Sequence, residues 1–240
     1  MVIKMYIYMY TYTNYVTIYI YILAIISTNS MYKIYDFYLN IMYSKYKSYN
    51  DEKKQYIIKN TMKSGALYGL SLISPPIIYS LIVNDNYYNY NLIIQIGAII
   101  YTINDTVALY KLKKLSISTK YHHIVSTSFG IISVFTDFYS NNTSKLLFLY
   151  CISACFTYNV NLFMGMRFLL SKKDLITLQQ KCLYSYTISC ALNWGYHIYY
   201  LFTNNYTTSL IIYYLLICVL IYDDLKLIKW LYVYDLNKYD

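Results

Sequence analysis

Along the chain, long apolar runs alternate with short clusters of charge. The runs extend from about Tyr6 to Ser27, Ser64 to Val83, Asn91 to Tyr110, Tyr121 to Phe138, Lys145 to Leu170, Tyr184 to Phe202 and Ser209 to Tyr222. Each is near the roughly 20 residues an α-helix needs to cross a hydrocarbon core of ~30 Å. A membrane β-barrel would instead show segments of about 10 residues with alternating polarity. The pattern predicts an all-α fold, a polytopic transmembrane helical bundle of about seven spans. Pro75 and Pro76 lie inside the second run and are expected to kink that helix or break it into halves, because each removes a backbone donor. From Asn29 to Lys63 the chain reads as its longest polar loop. Lys4 ahead of the first run raises a signal peptide as a competing reading, but no small-x-small cleavage pattern follows, and a retained span is expected.

Composition supports the membrane class. The chain is 58% hydrophobic and 13% charged, whereas a soluble domain has about a quarter of its residues charged. The 37 tyrosines are less informative than they look. Gly, Pro, Ala and Arg, whose codons are GC-rich, total only 15 of 240 residues, so the tyrosine excess reads as base bias. Cys151, Cys155, Cys182, Cys190 and Cys218 lie in or beside spans without metal-ligand spacing and read as packing residues; no metal site is expected.

The net charge of +9 changes the picture through its placement. Of the 20 basic residues, 18 fall on one face if the chain crosses seven times. They lie in the segment 29–63, the loop 111–120, the region around Arg167 to Lys181 and the C-terminal tail. Cytoplasmic loops carry such an excess, so the N-terminus is expected in the lumen and the C-terminus in the cytosol. The sequons at Asn141, Asn142 and Asn205 fall in loops assigned to the lumen, while that at Asn104 lies inside a span. Anionic lipid of the cytosolic leaflet is the simplest partner for the lysines, and no nucleic-acid partner is needed.

Candidate chemistry is sparse. Asp105 lies inside the third run, in Tyr101-Thr102-Ile103-Asn104-Asp105-Thr106, and an ionisable group at membrane depth calls for a partner. His122 and His123 open the next run beyond a short basic loop, so the two helices are antiparallel neighbours and Asp105 is within reach of either histidine. Two readings stand: a catalytic unit in which the carboxylate orients an imidazole, or an interhelical polar contact that serves packing alone. Arg167 reads as a snorkelling anchor, Asn193 and His197 as one polar helix face suited to interhelical hydrogen bonding, and Asp223 and Asp224 as solvated residues at the interface.

The arrangement resembles the TLC domain family, which includes ceramide synthases, translocating-chain-associating membrane proteins and lipid-homeostasis proteins. The resemblance rests on the span Tyr101 to Asp105, the basic linker and the paired histidines in His122-His123-Ile124-Val125-Ser126, flanked by Lys54 to Thr61 and Asp224 to Trp230. It covers about residues 50 to 232, which divides the chain into an N-terminal span with a basic cytosolic loop (1–49), a TLC-like membrane domain (50–232) and a cytosolic tail (233–240). In a later span, Phe163 and Arg167 match a motif of the family. The acidic element that ceramide synthases carry after their paired histidines has no counterpart here. The resemblance therefore implies lipid binding, sensing or handling in the endoplasmic reticulum or connected membranes, with no bound cofactor. The alternative it implies is acyl-CoA-dependent N-acyl transfer, with acyl-CoA as co-substrate and His122, His123 and Asp105 as the catalytic residues.

Overall fold

The computed structural model describes residues 2–83, 90–139 and 142–235. Among them the chain forms eight α-helices and no strand: α1 (Val2–Met42), α2 (Asp51–Val83), α3 (Asn91–Lys111), α4 (Ile117–Val134), α5 (Asn142–Cys155), α6 (Tyr158–Met166), α7 (Lys172–Thr203) and α8 (Thr208–Val233). One 3-10 turn, Ser44–Ser48, joins α1 to α2.

Local chemistry accounts for the helix starts. Asn50 Oδ1 accepts from the Lys53 backbone N–H at 2.9 Å, and Asp51 and Glu52 follow in the first turn of α2, where the helix dipole favours negative charge. Ser116 caps α4 by accepting from Thr119 N at 3.2 Å, Ser171 caps α7 at Asp174 N (3.4 Å), and Thr207 caps α8 at Leu210 N (3.3 Å).

The segment 29–63 is not a loop. α1 runs on to Met42 and α2 begins at Asp51, so only residues 43–50 connect them. The stretch contains no glycine or proline to stop a helix, and its apolar side is buried: Tyr32, Leu39 and Tyr46 pack against Ile57, Ile58, Met62 and Val107. The polar character that suggested a loop belongs to the other side of two packed helices.

Nor do the prolines break α2, which continues through Pro75 and Pro76 as one helix. The donor missing at Pro75 would have bonded the carbonyl of Ser71. That carbonyl instead accepts the Ser74 hydroxyl at 3.0 Å, while the Ser71 hydroxyl donates to Tyr68 O at 2.7 Å. The long run at 145–170 does break. α5 and α6 meet at a bend of 45°, where the Thr157 hydroxyl donates to Ala154 O at 2.7 Å.

Most of each apolar run lies on helix. Among the described residues two helical stretches, Tyr15–Met42 and Asn91–Lys111, are long and apolar enough to cross a membrane, and α5 with α6 makes a third if the bent pair is one span. α4 opens on Lys120, His122 and His123, and α7 carries Asn193, His197 and several tyrosines, which dilute their apolar character. The surface is nonetheless apolar where a soluble protein's would be charged. Ile22, Leu23 and Ile26 of α1, Leu72 and Ile73 of α2, Ile131 and Ile132 of α4, Leu192 of α7 and Ile211, Ile212 and Leu215 of α8 are all exposed. The apolar interior also holds a polar cluster: Lys59, Asn60, Lys63, Gln95, Asn104, Asp105, His123 and Ser126 are buried.

Candidate functional site

α3 and α4 set the site. Gln95 donates to the carbonyls of Val134 (3.1 Å) and Thr136 (3.0 Å), and further along, Thr102 faces Gly130. A Cβ on Gly130 would come within 2.9 Å of Thr102 Cβ, so glycine is what lets the two helices approach this closely. One turn deeper, the same antiparallel register places Asp105 against Ser126 and His123.

Asp105 has no exposed surface. Lys63 of α2 donates to both of its oxygens, at 2.7 Å to Oδ1 and 2.6 Å to Oδ2, and the Ser126 hydroxyl donates to Oδ2 at 2.9 Å. His123 Nδ1 lies 2.9 Å from Oδ1, at ion-pair distance but without the alignment of a hydrogen bond. His123 is 2% exposed, and neither ring nitrogen has a hydrogen-bond partner among the described residues.

Of the three residues expected to act together, the structure therefore brings two into contact, Asp105 and His123. His122 turns elsewhere: its Nδ1 lies 3.2 Å from Asp223 Oδ2, within α8. The two imidazoles stand edge to face, with centroids 5.8 Å apart. Asp223 and Asp224 are thus not simply solvated. Asp224 is buried and accepts the hydroxyls of Tyr150 (2.8 Å) and Tyr186 (2.7 Å), drawing α5, α7 and α8 together.

His122, His123, Lys59, Lys63, Asp223 and Asp224 all line a cavity of about 520 Å³, whose remaining wall includes Tyr56, Ser118, Asn193 and Trp230. Asp105 stands behind this wall, reached through His123 and Lys63. Beyond Tyr101, which borders both spaces, a narrow cleft of about 40 Å³ runs between α2, α3 and α5, bounded by Leu70, Ile73, Ile94, Leu147, Ile152 and neighbouring apolar groups. A roomy cavity with several charged residues in its wall thus shares Tyr101 with a thin apolar cleft.

Chemically, the Asp105 carboxylate can orient the His123 ring and favour a proton on Nδ1, which leaves Nε2 as the basic nitrogen. Lys63 already neutralises the carboxylate.

Several residues of the site were not singled out from sequence. Lys59 and Lys63 were grouped with a basic loop. Their signal was the unbroken helical pattern from Asp51 onward, with the two lysines four apart and Asn60 between them on a face that runs into an apolar span. Arg167 is not an open anchor either. Its guanidinium sits 4.6 Å from the Phe168 ring and 4.8 Å from the Trp230 ring, with Tyr56 and Tyr234 also beside it. His197 makes the expected interhelical bond. Nδ1 donates to Asn193 O at 2.8 Å, which fixes the tautomer and leaves Nε2 to accept the Tyr213 hydroxyl at 2.7 Å.

Comparison of the chain with protein-family models, with curated proteins and with solved structures finds no match.

Proposed function

We propose that the protein is a multi-pass membrane protein with a TLC-like domain that binds, senses or handles lipids in the endoplasmic reticulum membrane system. In this reading α5 and α6 together make one crossing, seven crossings put the N-terminus in the lumen and the C-terminus in the cytosol, and membrane lipids are the partners. The observation that carries it is a cavity walled by charged and apolar groups together, with an apolar cleft beside it across Tyr101, inside a bundle whose outer faces are apolar. An amphiphile is the ligand class that matches such a lining: its head group meets the charged wall and its chain the apolar one. The test is native mass spectrometry of the full chain purified in a non-ionic detergent. Retained lipid, reduced by Leu70→Trp or Ile94→Trp in the cleft, is the expected result; a chain free of lipid at every detergent concentration tried, and with no affinity for added lipid, overturns the reading.

A second reading is N-acyl transfer from acyl-CoA to the amine of a long-chain base. It is favoured by one observation, the His123 ring placed between the Asp105 carboxylate and the cavity, with Nε2 unengaged. In that reaction the amine nitrogen forms the new bond to the acyl carbon while the carbon–sulfur bond breaks. His123 Nε2 takes the amine proton and returns it to the departing thiolate. His123→Ala and His122→Ala are expected to abolish transfer of a labelled acyl group, and the absence of transfer by the unmutated protein excludes this reading while leaving lipid binding in place.

A further inference from the structure

Each charged group of the cavity wall but one has a matched partner. Lys63 is held by Asp105, His122 by Asp223, and Asp224 by two tyrosine hydroxyls. Lys114, in the loop between α3 and α4, reaches Glu52 at 3.3 Å. Lys226 is placed over the Tyr222 ring, 4.3 Å from its centroid. Lys59 is different. It is buried, only 6% exposed, and among the described residues no carboxylate lies within ion-pair distance of its Nζ. Its hydrogen bond is a long one, 3.4 Å to Oδ1 of the adjacent Asn60. A primary ammonium has three donors, and taking such a cation out of water without a counter-charge is unfavourable. On the same cavity wall His123 presents its own unsatisfied Nε2.

A buried cation short of a counter-ion, on the wall of a chamber large enough for a head group, defines a place for an anion. We propose that Lys59, with His123 beside it, is the recognition site for a phosphate group on the ligand of this cavity, so that the amphiphile it takes is a phosphate-bearing one. The inference rests on the lipid-handling reading above and narrows it. A phosphate supplies the missing counter-charge and accepts from the Lys59 ammonium. A neutral amphiphile would leave Lys59 as it stands. The phosphate has two available sources, the head group of a phospholipid or the phosphates of a soluble thioester carrier such as coenzyme A.

The experiment compares three probes on the full chain in a phosphate-free non-ionic detergent: dioctanoyl phosphatidic acid, the uncharged dioctanoylglycerol, and coenzyme A. Affinities are measured for the unmutated protein, Lys59→Met and Lys59→Arg, with melting temperature recorded for each. The expected result is binding of a phosphate-bearing probe in preference to dioctanoylglycerol, weakened about tenfold or more by K59M, the value of a charge-assisted hydrogen bond, and restored to within about threefold by K59R, which keeps the charge. Phosphatidic acid binding alone assigns the source to lipid; binding of coenzyme A that competes with it assigns the source to the soluble carrier. Equal affinity for phosphatidic acid and dioctanoylglycerol, unchanged in K59M, overturns the phosphate site while the lipid cavity stands. No binding of any probe overturns both. Should K59M fail to fold, competition by inorganic pyrophosphate against phosphatidic acid on the unmutated protein decides the matter. Displacement supports the site, and its absence overturns it.

Discussion

Lys63 Nζ lies within 2.7 Å of both oxygens of Asp105, a fully buried pair joining α2 to α3 at the back of the cavity wall. Two charges out of water tolerate each other's presence far better than each other's absence. Asp105→Asn is therefore expected to destabilise the fold by ~3–5 kcal/mol, because it strands the Lys63 ammonium among buried groups. Lys63→Met combined with Asp105→Asn should recover much of that loss. The check is a double-mutant cycle on thermal or denaturant unfolding in detergent, and additive single effects would show that the pair is not coupled.

The close approach of α3 and α4 depends on Gly130. Gly130→Ala places a methyl group against Thr102, with its Cβ 2.9 Å from Thr102 Cβ, and the expected cost is about 1–3 kcal/mol as the helices are pushed apart. Thr102→Ala removes the nearest atom, the hydroxyl oxygen, and should partly rescue the variant. Since the same contact registers Asp105 against Ser126 and His123, Gly130→Ala should also weaken ligand binding in the cavity, which a titration with the probes above would record.

Alkaline pH offers a separate handle, outside the spans. Tyr46, fully buried in the turn between α1 and α2, donates its hydroxyl to Asp36 Oδ1 at 2.7 Å. Burial first, and then the bond to Asp36, raise its pKa well above the ordinary tyrosine value of 10.0. The folded chain keeps this proton where the unfolded chain begins to lose it, so the contribution is complete below pH ~10 and declines as pH rises beyond that value. Tyr46→Phe is expected to flatten the loss of stability above pH ~10, measured as melting temperature against pH. A slope unchanged by the substitution would count against the assignment.

Topology is testable at Asn205, an exposed residue in the turn between α7 and α8. With the orientation proposed above, this sequon faces the lumen and should gain a glycan in microsomes, seen as a mobility shift that Asn205→Gln removes. Modification of a sequon introduced at 112–116, between α3 and α4, would reverse the orientation. The sequon at Asn141 and the Asn142 side chain lie outside the described residues.

Helix content was legible from the chain itself, since a run that is apolar on all sides has few ways to satisfy its backbone except by coiling. Caps such as Ser116, Ser171 and Thr207 sit where local hydrogen bonding requires them. The segment 29–63 was misleading for a physical reason: its polar side was visible in the composition, while its apolar side has meaning only beside Ile57 and Val107. The Ser71 and Ser74 hydroxyls that carry α2 past Pro75 are likewise local, yet two serines before two prolines do not announce that role.

For the site, the sequence by itself determined that Asp105 and the paired histidines lie on neighbouring helices within reach of one another, because a short loop forces α3 and α4 to be antiparallel. Only the tertiary structure decided that His123 rather than His122 meets Asp105, that Lys63 arrives from α2 to neutralise it, and that Asp223 returns from α8, a hundred residues further on (roughly), to hold His122. Short connections fix which helices are adjacent. Partners brought from distant helices depend on how those helices rotate about their axes and on how closely Gly130 lets two of them approach, and neither is written in spacing alone.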